Sequence, residues 1–404
     1  MSLFSWFSLG AWLAVVVNAL LLRGRLFAMF AAVMVGLYSL SAAAFTPIVR
    51  LTVVWPLFLV LHAGVYVHML LLARPAMRPL LYRVLISVPA SFFIAGTVLS
   101  LPWGIAAALG LQPPVPFVPY LLALVGLAQS LTARREDIHL IIDEVDVPGL
   151  LRHRPAGERV ERPLRLVQIS DPHLGPFMSV ERLRAICERA VAVKPDLVLL
   201  TGDFLTMESQ SSVEPLRRAL EPLAALPGRV YACRGNHDLE APLVVEEALR
   251  CHGIRLLVDE EATADTPWGE VELLGFDFVF RDRAAHLGRV TARYPRRSDR
   301  LRIALLHDPS AFRLLPPGVA DLVLSGHTHG GQLGLVSIGG TWTVPRLVDI
   351  PDHGLWAHGR SRMYIHRGTG HYGFPLRLGV PAEEGVLHVH WQPPAGRLAG
   401  SGAT

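Results

Sequence analysis

The sequence predicts a multi-span transmembrane helical region followed by an α/β domain. Three observations point there. Residues 1–135 carry eight of the chain's 38 basic residues, all Arg, and none of its 34 acidic ones. From Leu164 onward, short apolar runs alternate with stretches of helical spacing. Five of those runs reach an Asp, Asn or His within three residues of their end.

The front third contains uncharged stretches at Met1–Leu22, Leu26–Val49, Leu51–Ala73 and Val84–Ala133. The first three are each long enough to cross a hydrocarbon core, which takes about 20 helical residues. The fourth, 50 residues long, is broken by Pro113, Pro114, Pro116 and Pro119 and reads as two helices joined by a hairpin near 112–119. The expectation is therefore about five helices over 1–135. A soluble bundle is excluded because no segment offers a charged face. Residues 1–22 lack the basic start of a cleavable signal. Arg23/Arg25, Arg74/Arg78/Arg83 and Arg134/Arg135 fall on one side of a five-span arrangement and Arg50 on the other. The positive-inside rule then puts the N-terminus outside and everything after Ala133 in the cytoplasm, in a cell (inner) membrane. His62 and His68, six residues apart, do not share a helix face, so each is expected to pack or to bond a neighbouring helix.

The overall charge of +4 and pI of 9.2 arise in this front third, and the remainder is net acidic. With no Lys/Arg run to track phosphates, no nucleic-acid partner is expected. Three cysteines, Cys187, Cys233 and Cys251, with no CxxC, argue against a disulfide framework.

Residues 136–163 read as an edge strand (Ile138–Val145) and a polar, Arg-rich linker; 164–392 form the domain, and 393–404 a flexible tail. Buried strands are predicted at Leu166–Ile169, Leu197–Leu200, Val230–Cys233, Ile303–Leu306 and Leu322–Leu324. Helices are predicted at Val180–Val193 and Val213–Ala225, and later strands at Val271–Gly275, Met363–His366 and Val386–His390.

The strand ends carry the chemistry. They lead into Asp171-Pro172-His173, Gly202-Asp203, Gly235-Asn236-His237-Asp238, His307 and Gly326-His327-Thr328-His329. Open α/β sheets place ligands at these carboxyl ends. Buried carboxylates and imidazoles with no Lys or Arg among them imply a cation. Nitrogen and oxygen donors without thiolate suit Mn, Fe or Zn better than Ca. Seven donors exceed one shell, so two divalent transition metal ions sharing a carboxylate are expected.

Taken in order, the blocks D-P-H, G-D, G-N-H-D, His307 and G-H-T-H resemble the calcineurin-like metallophosphoesterases, over roughly Leu164–Gly331 and on toward Trp391. The segment Gly368–Pro381 is similar to the closing segment of membrane-associated bacterial members, some of which cleave the pyrophosphate of UDP-diacylglucosamine. The resemblance implies two packed mixed β-sheets flanked by helices. It implies that Asp171, His173 and His329 bind one metal, that Asn236, His307 and His327 bind the other, and that Asp203 bridges them. It also implies that a bridging hydroxide attacks phosphorus, that His237 protonates the leaving group, and that Asp238 orients the His237 imidazole. Pro172 stands where relatives commonly have Leu, and Asp308 where they often have Asn.

The expectation that follows is a membrane-anchored dimetal phosphoesterase acting on a phosphodiester or pyrophosphate, carried on a lipid in the bilayer. The alternatives are a phosphodiesterase or phosphatase for a soluble substrate and a non-catalytic membrane sensor on the same fold. No obligate protein partner follows from the sequence. His371 and Arg377 are candidates for phosphate contact or loop packing, and His388 and His390 for a structural role on one strand face.

Overall fold

A computed structural model describes residues 2–143, 146–152, 159–297, 299–334 and 343–392. The apolar front third forms helices α1 (Leu3–Arg23), α2 (Arg25–Val49), α3 (Trp55–Leu72), α4 (Leu80–Tyr82), α5 (Val88–Leu99), α6 (Leu101–Ala108) and α7 (Val118–Leu131). A π-turn at Arg83–Ser87 joins α4 to α5 into one rod, Leu80–Leu99. That rod and α1, α2 and α3 are the four helices long and apolar enough to cross a bilayer among the described residues. The last expected span is shorter than the rest. The Pro-rich loop delays α7 to Val118 and a strand already begins at Ala133, leaving 14 helical residues, roughly 21 Å.

Polar side chains inside this bundle find partners on other helices. His62 bonds Ser8 (3.0 Å) on α1 and Tyr38 (2.7 Å) on α2, the interhelical role expected of it. Asn18 donates to the Leu70 carbonyl at 2.8 Å. In hydrocarbon an unpaired amide or imidazole would be costly, so such bonds fix which helix faces meet.

The rest of the chain is a two-sheet sandwich. Its strands are β1 (Ala133–Ile142), β2 (Val147–Arg152), β3 (Leu164–Ile169), β4 (Leu197–Leu200), β5 (Val230–Ala232), β6 (Arg255–Leu256), β7 (Glu260–Thr266), β8 (Gly269–Gly275), β9 (Leu301–Leu305), β10 (Leu322–Ser325), β11 (Gly354–Gly359), β12 (Ser361–Ile365) and β13 (Ala382–Trp391). One sheet runs β1-β13-β3-β4-β5-β6, the other β2-β11-β12-β10-β9-β8-β7. Helices α8 (Val180–Ala192), α9 (Glu214–Leu220) and α10 (Pro242–Arg250) cover the first sheet, and α11 (Arg283–Arg293) covers the second; α12 (Val344–Leu347) is a single turn.

The fully apolar runs are explained by burial on both faces. On β4, Val198 and Leu200 face the helix layer while Leu197 and Leu199 face the opposite sheet. On β10, Leu322 and Leu324 point between the sheets and Val323 points outward beneath α11. All five runs expected as strands are strands, and β1 is the expected edge strand. The Arg-rich linker differs from expectation. Val147–Arg152 pairs antiparallel with β11 at the edge of the second sheet, despite Pro148 and Gly149, because an edge strand tolerates both. Residues 144–145 and the tail 393–404 lie outside the described residues. Cys187 and Cys233 are buried free thiols in the core and Cys251 is an exposed one.

Candidate metal centre

The parallel strands of the two sheets point the same way at the site. Behind β3 come Asp171 and His173, behind β4 Asp203, and behind β5 Asn236, His237 and Asp238. The second sheet contributes His307 behind β9 and His327 and His329 behind β10. Two groups of donors result, each within 4.8 Å: Asp171, His173 and His329, and Asp203, His307 and His327. Asp203 lies between them. Its Oδ2 is 3.6 Å from His173 Nε2 of the first group and 3.2 Å from His307 Nε2 of its own.

The backbone must turn sharply to bring short side chains this close. Asp171, His173, Asp203, His327 and His329 all adopt positive φ, between 46° and 68°. Each such non-glycine residue costs about 1–3 kcal/mol, a strain that concentrates at functional sites. Two glycines permit the crowding. A Cβ on Gly235 would sit 2.1 Å from Asp203 Oδ1, and one on Gly326 2.2 Å from Asp171 Oδ2.

The donors are held from behind. His307 Nδ1 donates to the Thr201 carbonyl at 2.6 Å, which turns Nε2 toward Asp203. Asp171 accepts the His327 amide at 2.9 Å and the Ser170 hydroxyl at 2.5 Å. Asp203 Oδ1 accepts the His237 amide at 2.9 Å. Burial raises Asp171 to about 6. It works against a charge on His307, yet the Asp203 carboxylate overrides it and lifts that imidazole to about 10. Burial holds His173 down at about 3 and His327 at about 4, neutral imidazoles ready to donate a lone pair.

A cation pair fits this donor set. Asn236 Oδ1 is buried without any hydrogen-bond partner. An orphaned acceptor of that kind costs about 1–3 kcal/mol unless something electropositive meets it. His173 Nε2 and His329 Nε2 face each other at 3.1 Å, an approach that a shared positive centre would make favourable.

His237 stands beside the donors, its ring 5.4 Å from that of His173. The expectation that Asp238 orients this imidazole is corrected. The Asp238 carboxylate is fully taken up by backbone amides, those of Asp203 (2.7 Å), Phe204 (2.8 Å) and Gly235 (2.7 Å). A side chain adjacent in sequence points the other way and braces the metal loops. His237 Nδ1 instead donates to Glu240 at 2.9 Å, and Tyr372 stacks on the ring at 4.4 Å. Glu240 also takes Arg23, from the end of α1, at 3.1 Å.

Sequence reasoning overlooked Glu240, Tyr372 and Arg23. Glu240 had a signal, since it follows His237 by three residues and the short 3-10 turn Asp238–Glu240 brings it back. Tyr372 and Arg23 reach the site only through tertiary packing. Arg377 is committed to packing: its guanidinium donates to the carbonyls of His329, Arg367 and Gly370. His371 is buried against Phe177. The carboxylate at Asp308 is neutralised by Arg283 at 2.7 Å. His390 bonds His139 at 2.8 Å and His388 meets Asp137 at 3.2 Å, on the sheet edge.

The family model for calcineurin-like phosphoesterases matches residues 164–331. YkuE of Bacillus subtilis, an uncharacterized metallophosphoesterase, is 30% identical over 222 residues, 53% of this chain and 74% of that one. The chain belongs to the calcineurin-like phosphoesterase family. Phosphodiesterase YaeI of Escherichia coli is 29% identical over 250 residues, 59% of this chain and 87% of YaeI. A Danio rerio transmembrane protein with a metallophosphoesterase domain is 31% identical over 242 residues, covering 54% of this chain and 52% of the fish protein, about half its length. As a family member with this two-sheet fold and two donor groups, the chain is a metal-dependent phosphoric ester hydrolase. Its calcineurin-like domain is preceded by apolar helices of membrane-crossing length.

Proposed function

We propose that this calcineurin-like phosphoesterase hydrolyses a phosphodiester or pyrophosphate carried on a membrane lipid, with its catalytic domain on the cytoplasmic face. The observation that carries the reading is the Asp203 carboxylate set between two donor groups, with Asn236 Oδ1, on the loop behind β5, buried and unpaired. Asp171, His173 and His329 would hold one cation, Asn236, His307 and His327 the second, and Asp203 both. Two divalent ions at these positions supply Lewis acidity toward phosphoryl oxygens and make water a nucleophile near neutral pH. Mn, Fe or Zn suits such donors.

The chain's own residues do the rest. His237 is the general acid for the leaving oxygen. Glu240 at Nδ1 and Tyr372 against the ring face keep its Nε2 edge turned to the site. Asp238 braces the loops bearing Asp203 and Asn236.

Cytoplasmic placement is supported by charge. Arg23 meets Glu240, and Arg74, Arg78 and Arg83 line a cleft with Pro176 and Glu208 of the catalytic domain, so these arginines gather on the domain's side.

The full chain, purified in detergent with Mn added, is to be assayed on phosphodiesters and nucleotide-linked lipids, with metal content measured in parallel. Two ions per chain and turnover are expected, with Asp203→Asn losing both. Wild-type turnover by Asp203→Asn, or a chain far short of two ions and inert on every diester, would overturn the reading.

A further inference from the structure

A cleft enclosing about 940 Å3, its open mouth included, runs between the membrane helices and the catalytic domain. Its membrane wall is hydrocarbon: Phe30 and Met34 of α2, Val65 and Met69 of α3, and Ile94 of α5. His173, Thr206 and Tyr372 of the catalytic domain line the same space. One continuous space thus touches both a metal-donor imidazole and the interior faces of helices that cross the bilayer.

The chemistry of the lining selects the occupant. Few polar groups lie on the membrane wall, chiefly His68, Ser87 and Ser91, too few to replace the hydration of a sugar or base. The one carboxylate of the lining, Glu208, would repel a phosphate, so a phosphorus atom belongs beside the His173 imidazole instead. Phe177 and Phe374 line the domain side with more apolar surface. From Val65 to Leu72 the lining extends along α3 for roughly 10 Å, a depth that suits an extended hydrocarbon.

We propose that this cleft receives an acyl chain of the substrate, so that the lipid enters sideways from its leaflet with the phosphorus at the donor groups. The proposal rests on the lipid-phosphoesterase reading and specifies how such a substrate is held. The membrane helices then form part of the binding site, and substrate need not leave the bilayer to be cleaved.

The test uses the full-length enzyme in one fixed detergent with Mn, and alkyl p-nitrophenyl phosphate diesters bearing ethyl, octyl or hexadecyl chains. For wild type, kcat/KM should climb roughly fourfold for each methylene the cleft takes up, then level off. Met34→Trp and Ile94→Trp fill the space from two different helices. Each should lower the hexadecyl-to-ethyl ratio by roughly tenfold or more. The ratio is taken within one preparation, so a loss of folded protein cancels. A ratio unchanged in both variants would assign the preference to micelle partitioning and overturn the proposal. An ethyl ester cleaved as fast as the hexadecyl one by wild type overturns the cleft proposal alone. No cleavage of any ester overturns the lipid-phosphoesterase reading with it.

Discussion

Glu240 Oε1 lies 2.9 Å from His237 Nδ1, closing a hydrogen bond that sets the imidazole's orientation. Burial opposes a proton on His237, and the Glu240 and Asp203 carboxylates more than offset it, so the group is raised above its ordinary value. An acid works while protonated, so its contribution is present below that pKa and is lost as pH rises through it. Glu240→Gln should therefore move the alkaline limb of the pH–rate profile to lower pH for substrates with poor leaving groups. An unmoved limb would remove His237 from the acid role. His237→Ala should slow alkyl esters by roughly 100-fold or more and activated aryl esters far less.

Asp238 gives a contrasting expectation. Its carboxylate accepts three backbone amides from the loops that carry Asp203 and Asn236. Asp238→Ala should lower metal occupancy and cost about 1–3 kcal/mol of stability by leaving those amides unpaired. Sensitivity to the leaving group should stay as in wild type, which a comparison of aryl and alkyl esters measures. A change in that sensitivity would return Asp238 to the imidazole.

Metal uptake should release protons. Without an ion, burial resists but Asp203 sustains a proton on His307 up to about 10, and burial lifts Asp171 to about 6. A cation must displace the His307 proton near neutral pH, and the Asp171 proton as well under more acid conditions. Apparent affinity should thus rise with pH. Titration calorimetry in buffers of different ionisation enthalpy reads the protons directly; a heat independent of buffer would contradict this.

Asp171, His173, Asp203, His327 and His329, all at positive φ, hold strain that metal binding would repay. Asn, whose short polar side chain can bond locally, enters that backbone region more readily than longer side chains. His327→Asn should raise the melting temperature of metal-free protein, by an amount worth about 1 kcal/mol, while abolishing the metal-induced increase seen in wild type. Calorimetric scans with and without Mn decide it.

The strands that carry the donors were legible because burial on both faces makes them uninterrupted apolar runs, and because each run stops at a donor. Elements with one weakly apolar face were not. In β7 the buried side is Ala262, Ala264 and Thr266, too small and polar to announce a strand. The buried residues of α11 are Leu287 and Val290, among several arginines. Nor could the backbone sign of φ be read, although it decides how Asp171 and His329 approach one another. The hydrogen-bonding direction of Asp238 depends on side-chain torsion, which order along the chain leaves open. Contacts such as Tyr372 on His237 join segments 135 positions apart, and nothing in either segment alone names the other.

The first membrane helix ends by placing its last residue, Arg23, against Glu240, the residue bonded to the His237 ring. What reads along the sequence as a tether is therefore linked, through Glu240, to the imidazole beside the donor groups. Cutting it away would strip a counter-charge from Glu240 and open one wall of the cleft between the helices and the domain. A freed domain would be an altered enzyme rather than the same enzyme set loose.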